Sequence, residues 1–189
     1  MDRCEWANGN ELLRKYHDEE WGVPVHDDRK HFEFLMLESA QSGLSWLTIL
    51  KRREGYRKAY DGFDPEKIAG YGPDRIELLL RDPGIIRNRR KIEASVVNAA
   101  KFLEIQKEFG SFDAYIWGFV NGKPVVNSYG SIAEVPAVSP LSDAVAKDLK
   151  KRGFRFLGSV TVYAHLQAAG IVDDHVDSCF RKSRPLSEA

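Results

Sequence analysis

The sequence predicts an all-α fold on three observations. Apolar residues recur at spacings of three and four, Pro and Ser stand where helices would begin, and no convincing long strand is present. Residues 29–42 place Phe32, Leu35, Met36 and Ser39 on one helical stripe, and a second helix is expected from Trp46 to about Ala59. Asp64-Pro65 and Gly72-Pro73-Asp74 are helix starts, with Pro at or near the first helical position. A long helix from Arg87 to Phe109 would bury Ile92, Val96, Ala99, Ala100 and Leu103. Gly110 ends it, and Ser111 caps the next helix, which carries Tyr115 and Trp117. Asn121-Gly122, between Val120 and Val125-Val126, is a turn signal. A loop follows from Ser128 to Pro140; Ser142 then opens a helix that stops at Gly153, and a last helix runs from about Ser159 to Ala169 before Gly170.

The 189 residues suit one domain over 1–189, or one domain built from two closely packed lobes. No stretch approaches the roughly 20 apolar residues of a membrane span. The opening segment holds no apolar signal-peptide core, which predicts a cytoplasmic protein. A monomer is expected because no coiled coil or large apolar seam stands out. Net charge is zero, yet residues 1–50 carry 5 Lys+Arg against 10 Asp+Glu, and the remainder carries 23 against 18. Basic clusters stand at Arg87-Arg89-Arg90-Lys91, at Lys147-Lys150-Lys151-Arg152-Arg155 and at Arg181-Lys182-Arg184. Such a chain can present a basic face despite its neutral sum, although solvated helix ends would read the same way.

Three of four tryptophans, three of five histidines and one of two cysteines fall within the first 46 residues. Cys4 and His17 lie near one end of the chain, His175 and Cys179 near the other. The second pair is four residues apart, so a helix there would set both side chains on one face. Two Cys and two His can complete a closed tetrahedral zinc site, structural rather than catalytic, that ties the ends of the chain together. No CxxC or HxxxH knuckle is present, so buried thiols, unrelated surface histidines and an end-to-end disulfide stay open, the last disfavoured in a reducing compartment.

Trp6, Tyr16, Trp21 and Trp46 accompany Glu38, a carboxylate on an otherwise apolar helical face. Singly, each Trp reads as core and Glu38 as a surface or capping group. Together they can stack a flat base while the carboxylate accepts from its exocyclic amine. Gly43-Leu44 interrupts two helices with an apolar tip able to wedge into a duplex where a base has left the stack, or to serve as an ordinary turn.

These residues sit in longer strings: Arg3-Cys4-x-Trp6, Tyr16-His17-Asp18-x-Glu20-Trp21-Gly22-Val23-Pro24, and Leu37-Glu38-x-x-Gln41-x-Gly43-Leu44-Ser45-Trp46. Further on come Gly84-Ile85-Ile86-Arg87-x-Arg89-x-Lys91-Ile92, Leu149-Lys150-Lys151-Arg152-Gly153-Phe154-Arg155-Phe156-x-Gly158 and Gly170-x-Val172-x-Asp174-His175-Val176. In order and over nearly the whole chain, they resemble the 3-methyladenine DNA glycosylase I family. The resemblance implies a helix-hairpin-helix glycosylase fold and monofunctional excision of 3-methyladenine from alkylated double-stranded DNA. It implies structural Zn²⁺ on Cys4, His17, His175 and Cys179, and a base pocket of Glu38, Tyr16 and Trp46 with Trp6 and Trp21 nearby. It further implies DNA contacts at Gly43 and Leu44, and at Lys151, Gly153, Arg155, Gly158 and Ser159 of the hairpin. Ser39-Ala40 and Ser42 depart from the commoner residues beside the pocket glutamate but are small.

The substrate so implied is a cationic base that leaves neutral, so no general acid is required and Glu38 electrostatics with stacking would carry catalysis. No lysine nucleophile is called for, and no lyase step is expected. Two other classes share part of this pattern. A zinc-stabilised module that binds damaged DNA without cleaving it has no use for Glu38 and the aromatic set. An enzyme of free purines has no use for the wedge and the phosphate grip.

Overall fold

The computed structural model describes residues 2–182; Arg184 of the third basic cluster lies outside them. Among the described residues the chain forms ten α-helices, two single-turn 3₁₀ segments (Glu5–Ala7 and Ile132–Glu134) and two strands of two residues each. In order these are α1 (Glu11–Glu19), α2 (Asp28–Gln41), α3 (Trp46–Leu50), α4 (Arg53–Ala59), α5 (Pro65–Ala69), α6 (Pro73–Arg81) and α7 (Arg89–Phe109). There follow α8 (Phe112–Gly118), β1 (Val125–Val126), α9 (Pro140–Lys151), α10 (Ser159–Ala168) and β2 (Val172–Asp173). The expected all-α class holds, and no described helix is long and apolar enough to cross a membrane.

Helix α2 is the axis of the molecule. Asp27 caps it by accepting from the Lys30 N–H, and every side chain from His31 to Ala40 is buried. The expectation of one apolar stripe is corrected here, because α3, α7, α8 and α10 all pack against α2 and cover it on all sides. Full burial makes its polar residues the informative ones, since each needs a partner or a purpose.

Other expectations shift by small amounts. The helix expected from Trp46 to Ala59 is two, because the chain tightens into a three-residue turn at Arg52 N–H to Ile49 O (2.9 Å) before α4 begins. The buried face of α7 is rotated from the expected one: Ile92, Ser95, Asn98, Ala99, Phe102 and Ile105 are buried, while Val96, Ala100 and Leu103 are half-buried. Two polar residues can occupy that face because Ser95 bonds back to the Ile92 carbonyl at 2.7 Å and Asn98 brackets the Arg155 backbone, at 2.8 and 2.9 Å. Helix α9 opens at Pro140, with Ser139 as cap and Ser142 completing a reciprocal capping box. Helix α1 was not expected; a weakly apolar, charged segment hides it.

Asn121-Gly122 does turn, with φ of 54° and 71°. The chain does not return as a hairpin: β1 pairs in parallel with β2, Val125 against Val172, joining segments far apart in sequence. Helices α9 and α10, joined by the loop 152–158, pack against each other, and α10 lies against α2. The hairpin loop and the centre of α2 are thereby brought to one side of the molecule.

Candidate active site and metal cluster

Ligand atoms of Cys4, His17, His175 and Cys179 lie within 4.8 Å of one another, all four residues buried. His175 Nδ1 stands 3.7 Å from Cys4 Sγ and 3.5 Å from Cys179 Sγ, and His17 Nε2 stands 3.4 Å from Cys179 Sγ. A tetrahedral zinc site has ligand–ligand edges of roughly 3.3–3.8 Å, so these three separations already suit a metal. The cysteines are free thiols, which corrects the disulfide alternative. The segment holding His175 and Cys179 is a turn rather than a helix, closed by Cys179 N–H to Val176 O at 2.8 Å; that turn, not a shared helical face, converges the pair.

The outer contacts fix which nitrogens face inward. Asp18 Oδ1 accepts from His17 Nδ1 at 2.8 Å, and the Trp21 carbonyl accepts from His175 Nε2 at 3.2 Å, leaving the opposite ring nitrogens toward the sulfurs. Arg3 in turn holds both Asp18 oxygens (2.8 and 2.9 Å) and keeps that carboxylate at about 2. Gly22 makes the packing possible: its φ is +77°, and a Cβ there would sit 2.7 Å from His175 Nε2. Burial keeps both imidazoles neutral and the Cys4 thiol protonated in the absence of an ion. Neutral imidazoles are ready donors, and the thiols give up protons on metallation.

The cluster reaches the second site through aromatic rings. Trp21 lies 4.5 Å from the His175 ring and stacks over His17 at 6.1 Å; Trp6 meets Trp21 edge-on at 5.2 Å. Beyond them opens a cavity of about 460 Å³, lined by Trp6, Tyr16, Trp21, Glu38 and Trp46 together with Leu13, Gln41, Ser45, Ile132, Val135, Pro136, Ala164 and Gln167. All five expected base-binding and catalytic residues therefore share one wall-and-floor arrangement. Tyr16 and Trp46 meet at a tilt of 53° with ring centroids 5.2 Å apart.

Glu38 is 5% exposed and accepts no hydrogen bond from any described residue. Burial alone pushes its carboxyl up to about 8. It also lines a neighbouring groove of about 330 Å³ with Gly43, Leu44, Val160 and Thr161, so the cavity and the exposed tip communicate through it. Tyr16, likewise buried, has its hydroxyl pKa raised by burial and then by Glu38. Behind Tyr16 the charges are saturated: Arg53 forks both oxygens of Glu20 at 2.7 Å and reaches Glu33 Oε1 at 2.7 Å, while Lys30 and Arg57 add bonds at 2.7 and 2.8 Å. Burial pulls Glu20 upward, but Arg53 and Lys30 outweigh it and hold the carboxylate at about 2.

On the hairpin, Lys151, Arg155 and Gly158 are exposed, and Gly153 turns the loop at φ +96°. Gly158 opens α10 without a side-chain cap, which leaves backbone N–H groups at a positive helix end. Ser159 is half-buried with its hydroxyl engaged 2.8 Å from that of Ser142. The second basic cluster divides: Arg152 is committed to Glu108 and Asp148 at 2.6–3.2 Å, whereas Lys147, Lys150 and Lys151 remain exposed. Asp174 accepts from Asn127, Tyr163 and Gln167 at 2.5–2.7 Å and is a buried structural hub. The loop 132–136, read from sequence only as a connection, closes one side of the cavity.

Residues 6–182 match the family model described as methyladenine glycosylase. The chain is 45% identical over 179 residues to DNA-3-methyladenine glycosylase 1 of Escherichia coli (strain K12), covering 95% of this chain and 96% of that protein. It is 46% identical over 177 residues to DNA-3-methyladenine glycosylase of Haemophilus influenzae, covering 94% and 96%. A solved structure concerning 3-methyladenine recognition by 3-methyladenine DNA glycosylase I from Staphylococcus aureus superposes with a TM-score of 0.93 at 40% identity, over 98% of each chain. With the likeness spanning the cavity, the hairpin and both ends of the cluster, the chain belongs to the methyladenine glycosylase family.

Proposed function

We propose that this protein excises 3-methyladenine from alkylated double-stranded DNA by hydrolysing the N-glycosidic bond, leaving an abasic site for base-excision repair without a lyase step. One observation carries the reading: a buried carboxylate with no protein counter-charge stands on the floor of an aromatic cavity of about 460 Å³. Such a group is costly to ionise alone and is satisfied by a flat, cationic, amine-bearing ligand. A methylated adenine is that ligand, and the names of the E. coli and H. influenzae relatives support the same substrate.

In this reading Trp46 stacks on the extruded base, the Tyr16 hydroxyl meets its edge, and Trp6 and Trp21 wall the cavity. Glu38 accepts from the exocyclic amine and stabilises positive charge as the bond to the sugar breaks. The base departs neutral, so no side chain has to protonate it, and water attacks the sugar. Gly43 and Leu44 fill the gap in the duplex. The turn at Gly153, the backbone at Gly158 and Ser159, and the cations of Lys151 and Arg155 hold a phosphate. One chain suffices for all of these contacts.

Cys4, His17, His175 and Cys179 would hold Zn²⁺, the ion that two thiolates and two imidazoles in a closed tetrahedron suit. Bound there, the ion supplies a structural cross-link and no open coordination position. Its consequence for catalysis runs through Trp21, which packs on both histidines on one side and faces the cavity on the other. Elemental analysis is expected to find one zinc per chain, and chelation is expected to lower Tm and change Trp fluorescence together.

The direct test is base release from N-methylated duplex DNA with identification of the product. Free 3-methyladenine from the wild type, and none from Glu38→Ala that still folds, is the expected result. A folded protein that binds methylated duplex without releasing base would replace this reading by a non-cleaving damage binder.

A further inference from the structure

Helix α2 ends beside the tip that the proposed function uses as a wedge, and something must hold that end. Ser42 closes the helix at φ −43° and ψ 114°, Gly43 follows at φ +80°, and the Leu44 side chain is 40% exposed. Leu44 N–H bonds to Gln41 O at 2.6 Å, yet the last carbonyls of any helix lack partners within the helix, and the final turn of α2 contains no basic residue. The partner comes from α7: Lys91 Nζ donates to Ala40 O at 2.8 Å and to Ser42 O at 2.7 Å. A cation at a helix C-terminus is favourably placed against the helix dipole. Lys91 pairs with no carboxylate among the described residues, and burial lowers its pKa. Its own backbone is anchored, because the next residue, Ile92, is 2% exposed in the core and Asn88 caps the same turn by accepting from Lys91 N–H.

We propose that Lys91 is a positioning residue, latching the end of α2 so that Leu44 stands as a preformed wedge and base extrusion depends on it. Base recognition depends on it less, because Tyr16 lies on α1 and Glu38 sits within α2, two residues before the first carbonyl that Lys91 holds. The inference rests on the glycosylase reading, and it gives the first basic cluster a purpose that its charge alone does not: Arg87, Arg89 and Arg90, which precede it, are exposed, whereas Lys91 is turned inward.

The experiment compares Lys91→Met with Lys91→Arg in single-turnover excision from methylated duplex DNA and in affinity for free 3-methyladenine, read by Trp fluorescence. Lys91→Met is expected to slow excision roughly 10- to 100-fold, the scale of misplacing a working group by about 1 Å, with free-base affinity changed less than about twofold. Lys91→Arg is expected to recover most of the rate. In a Leu44→Ala background the same change is expected to cost little more, since both substitutions disable one device. An equal cost in both backgrounds, or a salt dependence of DNA binding reduced by about one unit, overturns the proposal and makes Lys91 an independent phosphate contact. Should Lys91→Met not fold, Lys91→Gln replaces it in the same assays: slowed excision with unchanged free-base affinity supports the latch, and unimpaired excision overturns it. A wild type that releases no base refutes the glycosylase reading itself; an active wild type with an unimpaired, folded Lys91→Met refutes only the latch.

Discussion

Two glutamates of α2, five residues apart, meet opposite treatment. Glu33 is 4% exposed and receives Arg53 and Arg57; Glu38 is 5% exposed and receives nothing from the protein. The first belongs to a closed charge network with Glu20 and Lys30, which fastens α2 to α4 and to the end of α1. The second is left without a partner among the described residues. Burial is the same in both places, so the difference lies in whether a guanidinium stands within reach. The contrast teaches that a buried carboxylate is read by its partners, and the unpaired one is the one on which the proposed base pocket rests.

Removing the counter-charge from the paired region is expected to give the largest effect. Arg53→Met takes the enclosed guanidinium from two carboxylates at once, one of them buried, leaving Glu20 to Lys30 and Glu33 to Lys30 and the more exposed Arg57, and is expected to destabilise the fold by about 3 kcal/mol. Chemical denaturation measures it; a loss below about 1 kcal/mol would mean that the network is decorative and the comparison mistaken. Glu38→Gln asks the converse. It keeps the shape of the side chain and removes the charge, so excision is expected to fall by about 100- to 1000-fold while stability at neutral pH does not fall. Unchanged excision would reduce Glu38 to a filler of space.

The pH dependence sharpens the same contrast. The carboxyl of Glu38 titrates at about 8 in the folded protein, above its ordinary 4.5, because burial disfavours the anion. The folded state therefore binds this proton more tightly than the unfolded state. The associated stability is complete below about pH 4.5 and is lost as pH rises through 8. Glu38→Gln abolishes that loss, so the variant is expected to match the wild type near pH 5 and to exceed it near pH 9 by on the order of 3 kcal/mol. Equal stability of the two proteins at both ends would contradict the buried, unpaired geometry. Affinity for a cationic base is expected to run the other way, rising toward pH 8 and levelling above it, because only the carboxylate attracts the cation.

Much of this site was legible in the sequence, and what was not has particular causes. Cys4, His17, His175 and Cys179, and the set Tyr16, Glu38 and Trp46, are residue types whose chemistry is conspicuous wherever they stand. Helix starts at Pro65 and Pro73 and the stop at Gly110 follow from local backbone rules, which need no tertiary context. The face of α7 was misjudged because Ser95 and Asn98 look like surface residues until the carbonyl and the hairpin backbone that satisfy them are in view. Arg152 reads from the sequence as one more cation of the second basic cluster for the same reason: Glu108 and Asp148 claim it only once α7 and α9 are packed. Cavity residues such as Val135 and Gln167 carry no local signal, being ordinary side chains made important by where the chain returns.

The smallest expected effect tests whether partner number or burial governs the network. Arg57 meets Glu33 at 2.8 Å, nearly as short a bond as the 2.7 Å one from Arg53, but its side chain is 40% exposed against 13% for Arg53. Water can replace Arg57 at Glu33, and Arg53 stays to neutralise the carboxylate, so nothing is orphaned. Arg57→Ala is therefore expected to cost about 0.2–1 kcal/mol, a loss that shrinks as salt is added. The cost of Arg53→Met is expected to persist in salt, because its partners are shielded from bulk ions. If the two substitutions prove equally costly and equally salt-sensitive, Glu33 is neutralised by the sum of nearby charges rather than by one enclosed guanidinium. The isolation of Glu38 would then have to be explained by distance from that whole field, not by the absence of a single partner.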